Sequence, residues 1–117
     1  MSEIYQLLIF NLIIIGVPLL LYFYPPKEIN AIYGYRTKRS SKNINNWKFA
    51  QSYFSKHWIK VPIIVILSQV IMGLTMYTSN FDFPVIPIFS LAEFLIGSMI
   101  CIYSTELALK RYEKSDS

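Results

Sequence analysis

The chain alternates between long uncharged stretches and one polar, basic segment. Residues 4–24 contain no Asp, Glu, Lys or Arg over 21 positions, and at about 1.5 Å per residue such a helix covers ~31 Å, close to the ~30 Å of a bilayer's hydrocarbon. Residues 61–78 form a second uncharged run of 18, and residues 85–109 a third of 25 in which Glu93 and Glu106 are the only carboxylates. The pattern predicts three transmembrane helices. Pro25 and Pro26 stop the first, because neither donates a backbone hydrogen bond and both clash with a continuing helix. Pro84 and Pro87 fix the entry to the third, after a tight outer turn around Asn80.

Residues 25–60 read differently. On a 3.6-residue period Ile44, Trp47, Ala50, Phe54 and Trp58 share one arc, while Lys48, Ser52, Ser55 and Lys56 lie opposite. This predicts an amphipathic helix lying on the membrane surface, capped by Ser40 or Ser41, with Asn43 as a local cap or turn residue. Gly34, between Tyr33 and Tyr35, suits a tight turn or a close backbone approach. The expected architecture is an all-α membrane protein: three transmembrane helices plus an amphipathic cytoplasmic interfacial helix, in one domain over residues 1–117. The first span is read as a retained anchor, since it lacks a basic leader and a small-residue cleavage pattern. Tyr22, Phe23, Tyr24, Trp58, Tyr77, Phe81 and Phe83 read as interface anchors.

Composition agrees, with 54% hydrophobic and only 15% charged residues among 117, which excludes an ordinary soluble domain. Eight of the basic residues (Lys27, Arg36, Lys38, Arg39, Lys42, Lys48, Lys56 and Lys60) fall between the first two spans, and the tail after the third holds Lys110, Arg111 and Lys114. Positive loops stay in the cytoplasm, so the expected topology is N-terminus outside and C-terminus inside a bacterial cell membrane. The net charge of +4 thus belongs to a face that meets anionic lipid headgroups, and direct nucleic-acid binding is not expected. Cys101 is the only cysteine, which excludes an internal disulfide or thiolate metal site.

Candidate chemistry is sparse. Glu93 stands out, because a carboxylate in hydrocarbon normally faces a bundle interior, and Ser90, Gly97, Cys101, Ser104 and Ala108 share its arc as a small-residue stripe. Counted at 1.5 Å per residue, Asn11, Gln69 and Glu93 all lie roughly 10 Å from the outer end, which predicts one polar layer joining the three spans. Interhelical hydrogen bonding is its simplest role, and a proton-responsive carboxylate the functional alternative. Glu106 is expected to pair with Lys110 at i,i+4. Arg36 carries a planar fork suited to a carboxylate or a lipid phosphate, and Trp47 is expected to dock the surface helix into lipid or against the spans. His57, the only histidine, has no Glu or second His at metal-ligand spacing. No phosphate-binding glycine loop, dinucleotide fingerprint or serine elbow occurs. No catalytic residue, metal or cofactor is therefore expected.

The stretch Pro25-Pro26-Lys27-Glu28-Ile29-Asn30, followed by Tyr33-Gly34-Tyr35-Arg36-Thr37, Ser40-Ser41-Lys42-Asn43, Trp47 and Ala50, resembles the signature loop of the SdpI family of small bacterial membrane proteins. Asn45 and Asn46 stand where members of that family often have acidic residues. The family is named for an immunity protein against a secreted peptide toxin. The resemblance therefore implies protection against a membrane-active peptide, with Tyr33, Gly34, Tyr35, Arg36, Thr37, Asn43 and Trp47 contacting a partner or lipid, and a signalling role through a cytoplasmic regulator held at the basic face. The rival expectation is a small proton-coupled cation or drug transporter acting through Glu93. Three spans enclose no path alone, so that reading requires a homo-oligomer.

Overall fold

The computed structural model describes residues 2–78 and 85–116. It contains four helices: α1 (Ser2–Phe23), α2 (Ile44–Trp58), α3 (Lys60–Thr78) and α4 (Val85–Asp116). There is no strand among the described residues. Three helical stretches are long and apolar enough to cross a membrane, and they include α1, α3 and α4. The protein is thus an all-α, multi-pass membrane protein. The outer turn at residues 79–84, with Asn80, Phe81, Phe83 and Pro84, lies outside the described residues, as does the side chain of Tyr77.

Most apolar side chains on the spans point outward, among them Leu12, Leu67 and Met99. In a bilayer this is the solvated state, so the spans are held together by close packing rather than by escape from water. The packed seam holds Ile14, Leu21, Val61, Val65 and Cys101. Gly97 sets the approach of α4 to α3: a Cβ there would lie 2.8 Å from Val61 Cγ1, so any larger residue must push the two helices apart. Pro62 and Pro87 sit in the first turns of α3 and α4, where the missing N–H has no intrahelical partner to lose.

The amphipathic helix expected at the membrane surface is packed against protein along its length. α2 runs antiparallel along α4 from Tyr112 back to Phe94: Phe49 stacks on Tyr112 at 4.5 Å, while at the other end Trp58 meets Phe94 and donates to Ser98 Oγ at 2.8 Å. Its apolar arc is covered by protein, with Trp47 and Ala50 wholly buried. Because α2 is gripped by the preceding loop and α1 as well as by α4, its buried surface is wider than the arc read from periodicity. Gln51 and Ser55 are buried, whereas Ile44 is exposed. α4 correspondingly continues to Asp116 rather than stopping at residue 109. Its 32 residues make a helix of about 48 Å, ~18 Å longer than the hydrocarbon core, and the surplus forms a stalk with α2. The molecule is accordingly elongated, 57 × 23 × 19 Å.

Candidate functional site

Most polar connections of the segment between α1 and α2 lead to one arrangement. Asn30 starts it: its side-chain oxygen accepts from the backbone N–H groups of Ile32 and Tyr33 at 2.9 and 2.7 Å, closing a turn of the kind Asn favours. The Tyr33 hydroxyl then reaches back to the end of α1, with Tyr24 O at 2.6 Å and Leu20 O at 3.2 Å. Gly34 follows with φ of +105°. A Cβ at that position would lie 2.5 Å from Pro26 Cγ and 2.8 Å from Gln51 Oε1, so both the conformation and the space require glycine.

Gln51 is the residue around which the loop closes. Its amide accepts from the Tyr35 N–H at 2.8 Å and donates to the Tyr35 carbonyl at 2.6 Å, reading one residue's backbone from both sides. The amide is buried, so losing either partner would leave a polar group unsatisfied. The Tyr35 side chain continues inward, packs on Phe54 at 4.7 Å and donates to Glu106 Oε2 at 2.7 Å. Thr37 Oγ1 donates to the same oxygen at 3.1 Å. Burial, together with the hydrogen bond to Glu106 and that residue's negative charge, pushes the Tyr35 phenol well above the usual tyrosine range, so Tyr35 stays a donor.

The remaining signature residues complete this latch. Ser40 exchanges hydrogen bonds with Thr37: its Oγ accepts from the Thr37 N–H at 2.9 Å and its own N–H donates to Thr37 Oγ1 at 3.1 Å. The cap of α2 is Asn43, whose side chain accepts from Asn46 N at 2.8 Å, not Ser40 or Ser41. Asn46 in turn donates its side-chain amide to the Arg39 carbonyl at 3.0 Å, which a carboxylate at that position could not do. Trp47 is fully buried and donates to Pro26 O at 2.9 Å, so it docks against protein and not lipid. Arg39 and Lys42 both meet Glu113 on the α4 stalk, at 3.0 and 3.4 Å.

Arg36 is the exception. Its side chain is exposed, and its Nη1 donates to the Ala31 carbonyl. Glu106, expected to pair with Lys110, is bonded to Tyr35 and Thr37 instead. The loop brings two hydroxyl donors to its carboxylate, and no ion pair with Lys110 occurs among the described residues.

Inside the spans, Asn11 and Gln69 exchange two hydrogen bonds of 2.9 Å, and Gln69 also donates to Ser90 Oγ at 3.0 Å. This polar seam ties α1 to α3 and α3 to α4. Glu93 stands apart: it accepts from Ser68 Oγ at 2.8 Å, while its Oε1 is buried without a partner. Three residues along α4 from Ser90, Glu93 is turned toward the face of α3 that carries Ser68, one position from Gln69, so the expected single layer is the Asn11–Gln69–Ser90 seam beside a separate Ser68–Glu93 pair. No group of three or more His, Cys, Asp or Glu residues able to hold a metal occurs among the described residues.

Comparison with known proteins rests on this same region. The model of the SdpI/YfhL protein family matches residues 27–105, from the start of the loop through all of α2 and α3 and most of α4. The chain belongs to that family. A Bacillus subtilis (strain 168) relative, described as uncharacterized protein YfhL, is 32% identical over 66 residues, 56% of this chain and 58% of the relative. The matched region thus spans less than two thirds of that relative's length. No solved structure matches the chain significantly. The family's matched region contains the loop from Lys27 onward, Trp47, Gln51 and the seam residues Gln69 and Ser90, whereas Asn11, Pro26, Glu106 and Glu113 fall outside it. Gln51, Ser40 and Glu106 were not among the residues expected to build the site. Of these, Gln51 has no signal in the sequence, while Ser40 reads there as a cap and Glu106 as a partner of Lys110; the side-chain hydrogen bonds of the folded loop give all three their places.

Proposed function

We propose that this protein is a non-catalytic membrane immunity protein that protects its cell against a membrane-active peptide toxin. The observation that carries the reading is membership of the SdpI/YfhL family, with the match covering the loop from Lys27 onward, α2, α3 and most of α4. The build of the loop agrees with it. The loop's hydrogen bonds are spent on fixing the loop to α1, α2 and α4, an arrangement suited to holding a rigid three-span bundle rather than to turning over a substrate. The bundle engages the peptide within or beside the bilayer and keeps it from permeabilising the membrane. The basic loop and the α2–α4 stalk face the cytoplasm, following the positive-inside rule, where they can hold a regulator when the bundle is loaded.

The test is expression in a toxin-sensitive bacterium carrying a membrane-potential dye. Cells with the protein keep their potential when peptide-containing supernatant is added, without degrading the peptide. Equal depolarisation with and without the protein refutes the reading. Orientation is tested separately with single cysteines at Ser41 and Ser115 in a protein lacking Cys101. An impermeant thiol reagent should label neither in intact cells.

One observation favours a second reading. The buried, unpartnered Oε1 of Glu93 belongs to an ionisable residue inside the spans, the kind of residue that marks ion pathways in transporters. Glu93→Gln keeps the shape and removes the carboxylate. Retained protection by well-inserted Glu93→Gln protein supports immunity, and loss of protection supports the transporter.

A further inference from the structure

A cavity of about 390 Å³ opens beneath the signature loop, within the size range of small-ligand sites. Its floor is apolar: Val17 and Leu21 of α1, Phe54 and Trp58 of α2, and Ile102 of α4. Val17 lies six residues before the end of α1, so the cavity reaches about 9 Å inward from that helix end, below the level of the headgroups. Val17 and Ile102 are themselves exposed on the outer surfaces of the spans, so the mouth faces the bilayer and not the stalk.

The rim holds a single charge, Arg36, and no carboxylate lines the cavity. The other polar side chains on the rim are engaged elsewhere: Tyr33 with Leu20 and Tyr24, and Tyr35 and Thr37 with Glu106. Arg36 makes no ion pair among the described residues and uses one donor on Ala31. A guanidinium has five N–H donors in a fork that fits a phosphate. An unneutralised guanidinium above an apolar slot, open sideways to the membrane, matches a molecule with an anionic phosphate at one end and a hydrocarbon chain at the other.

We propose that this cavity binds one acyl chain of a membrane phospholipid, with the lipid's phosphate held by Arg36. The site is independent of the immunity reading, and both its lipid and its binding can be measured without any toxin. The role of Arg36 follows from the same geometry: of Tyr33, Gly34, Tyr35, Arg36, Thr37, Asn43 and Trp47, it is the one left out of the latch.

The test uses the full-length protein in neutral maltoside micelles and a phosphatidylglycerol with brominated acyl chains, which quenches tryptophan on contact. Trp58 lines the cavity, whereas Trp47 is buried away from it. Saturable quenching is expected, lost in Trp58→Phe. Diacylglycerol with the same chains should bind at least about tenfold more weakly, as should phosphatidylglycerol to Arg36→Gln, the scale of a lost charge-assisted hydrogen bond. Val17→Phe fills the floor without touching the loop's hydrogen bonds and should abolish quenching, which keeps the test decisive even if Arg36→Gln does not fold. Equal quenching by phosphatidylglycerol and diacylglycerol, undiminished quenching of Val17→Phe, unchanged affinity of a folded Arg36→Gln, or a preference for brominated fatty acid would each overturn the proposal.

Discussion

Replacing Gly34 by alanine adds one methyl group to the tightest point of the molecule. At φ of +105° a side-chain-bearing residue is strained, which costs about 1–3 kcal/mol. The added Cβ also lands 2.5 Å from Pro26 Cγ and 2.8 Å from Gln51 Oε1. Pro26 is a closed ring whose carbonyl is held by Trp47, and Gln51 is fixed at both ends of its amide by Tyr35, so neither moves aside freely, and overpacking of this kind costs a further ~1–3 kcal/mol. Gly34→Ala should therefore destabilise the fold by about 2–6 kcal/mol. Reversible unfolding in mixed detergent micelles, followed by tryptophan fluorescence, measures this. Gly16 and Gly73 are internal controls, since a Cβ at either meets nothing within 4 Å and alanine is the better helix former. Pro26→Ala should partly rescue Gly34→Ala by removing the nearest obstacle, while leaving the carbonyl that Trp47 binds. If Gly34→Ala unfolds like Gly16→Ala, the close approach at Gly34 does not constrain the fold and the reasoning is refuted.

Other consequences are more limited. Tyr35→Phe leaves Glu106 with one donor fewer and should cost about 1–3 kcal/mol, seen as faster proteolysis within residues 30–42. Because the Tyr35 phenol is raised in the folded protein, its contribution is complete below the unfolded value of about 10 and is lost as the pH rises beyond it. Wild-type stability should therefore fall more steeply than that of Tyr35→Phe as the pH is raised past about 10. Gln69→Leu strands the Asn11 amide in the spans and should destabilise by roughly 1–2 kcal/mol, measured in the same unfolding experiment. Glu113→Gln breaks two partly exposed ion pairs and should leave the unfolding midpoint nearly unchanged. A larger effect there would mean that the stalk is held by charge and not by Phe49, Tyr112 and Leu109.

The three spans were legible because a charge-free run as long as the hydrocarbon is thick fits little except a membrane helix. Pro25, Pro26 and Gly34 were equally legible as breaks and turns. The seat of α2 was not, because periodicity shows which face is apolar but not whether lipid or protein covers it. The 3.6-residue arc also missed Gln51 and Ser55, polar residues buried for their hydrogen bonds, which no hydrophobic pattern marks. Glu106 was read from its near neighbour Lys110, yet its partners come from more than sixty residues earlier in the chain. Asn11 and Gln69 were found at similar depths by counting rises. Depth alone does not fix rotation about the helix axis, so Glu93 could not be assigned to Ser68.

The most direct test of the immunity reading removes the cell. Purified protein is reconstituted into sealed phospholipid vesicles holding a potassium diffusion potential, and the peptide fraction that depolarises sensitive cells is added. Vesicles with the protein should hold their potential at peptide concentrations that collapse protein-free vesicles, and the protection should rise with the protein-to-lipid ratio. Identical collapse in both, with protein that protects living cells, would contradict a bundle that acts on the peptide itself.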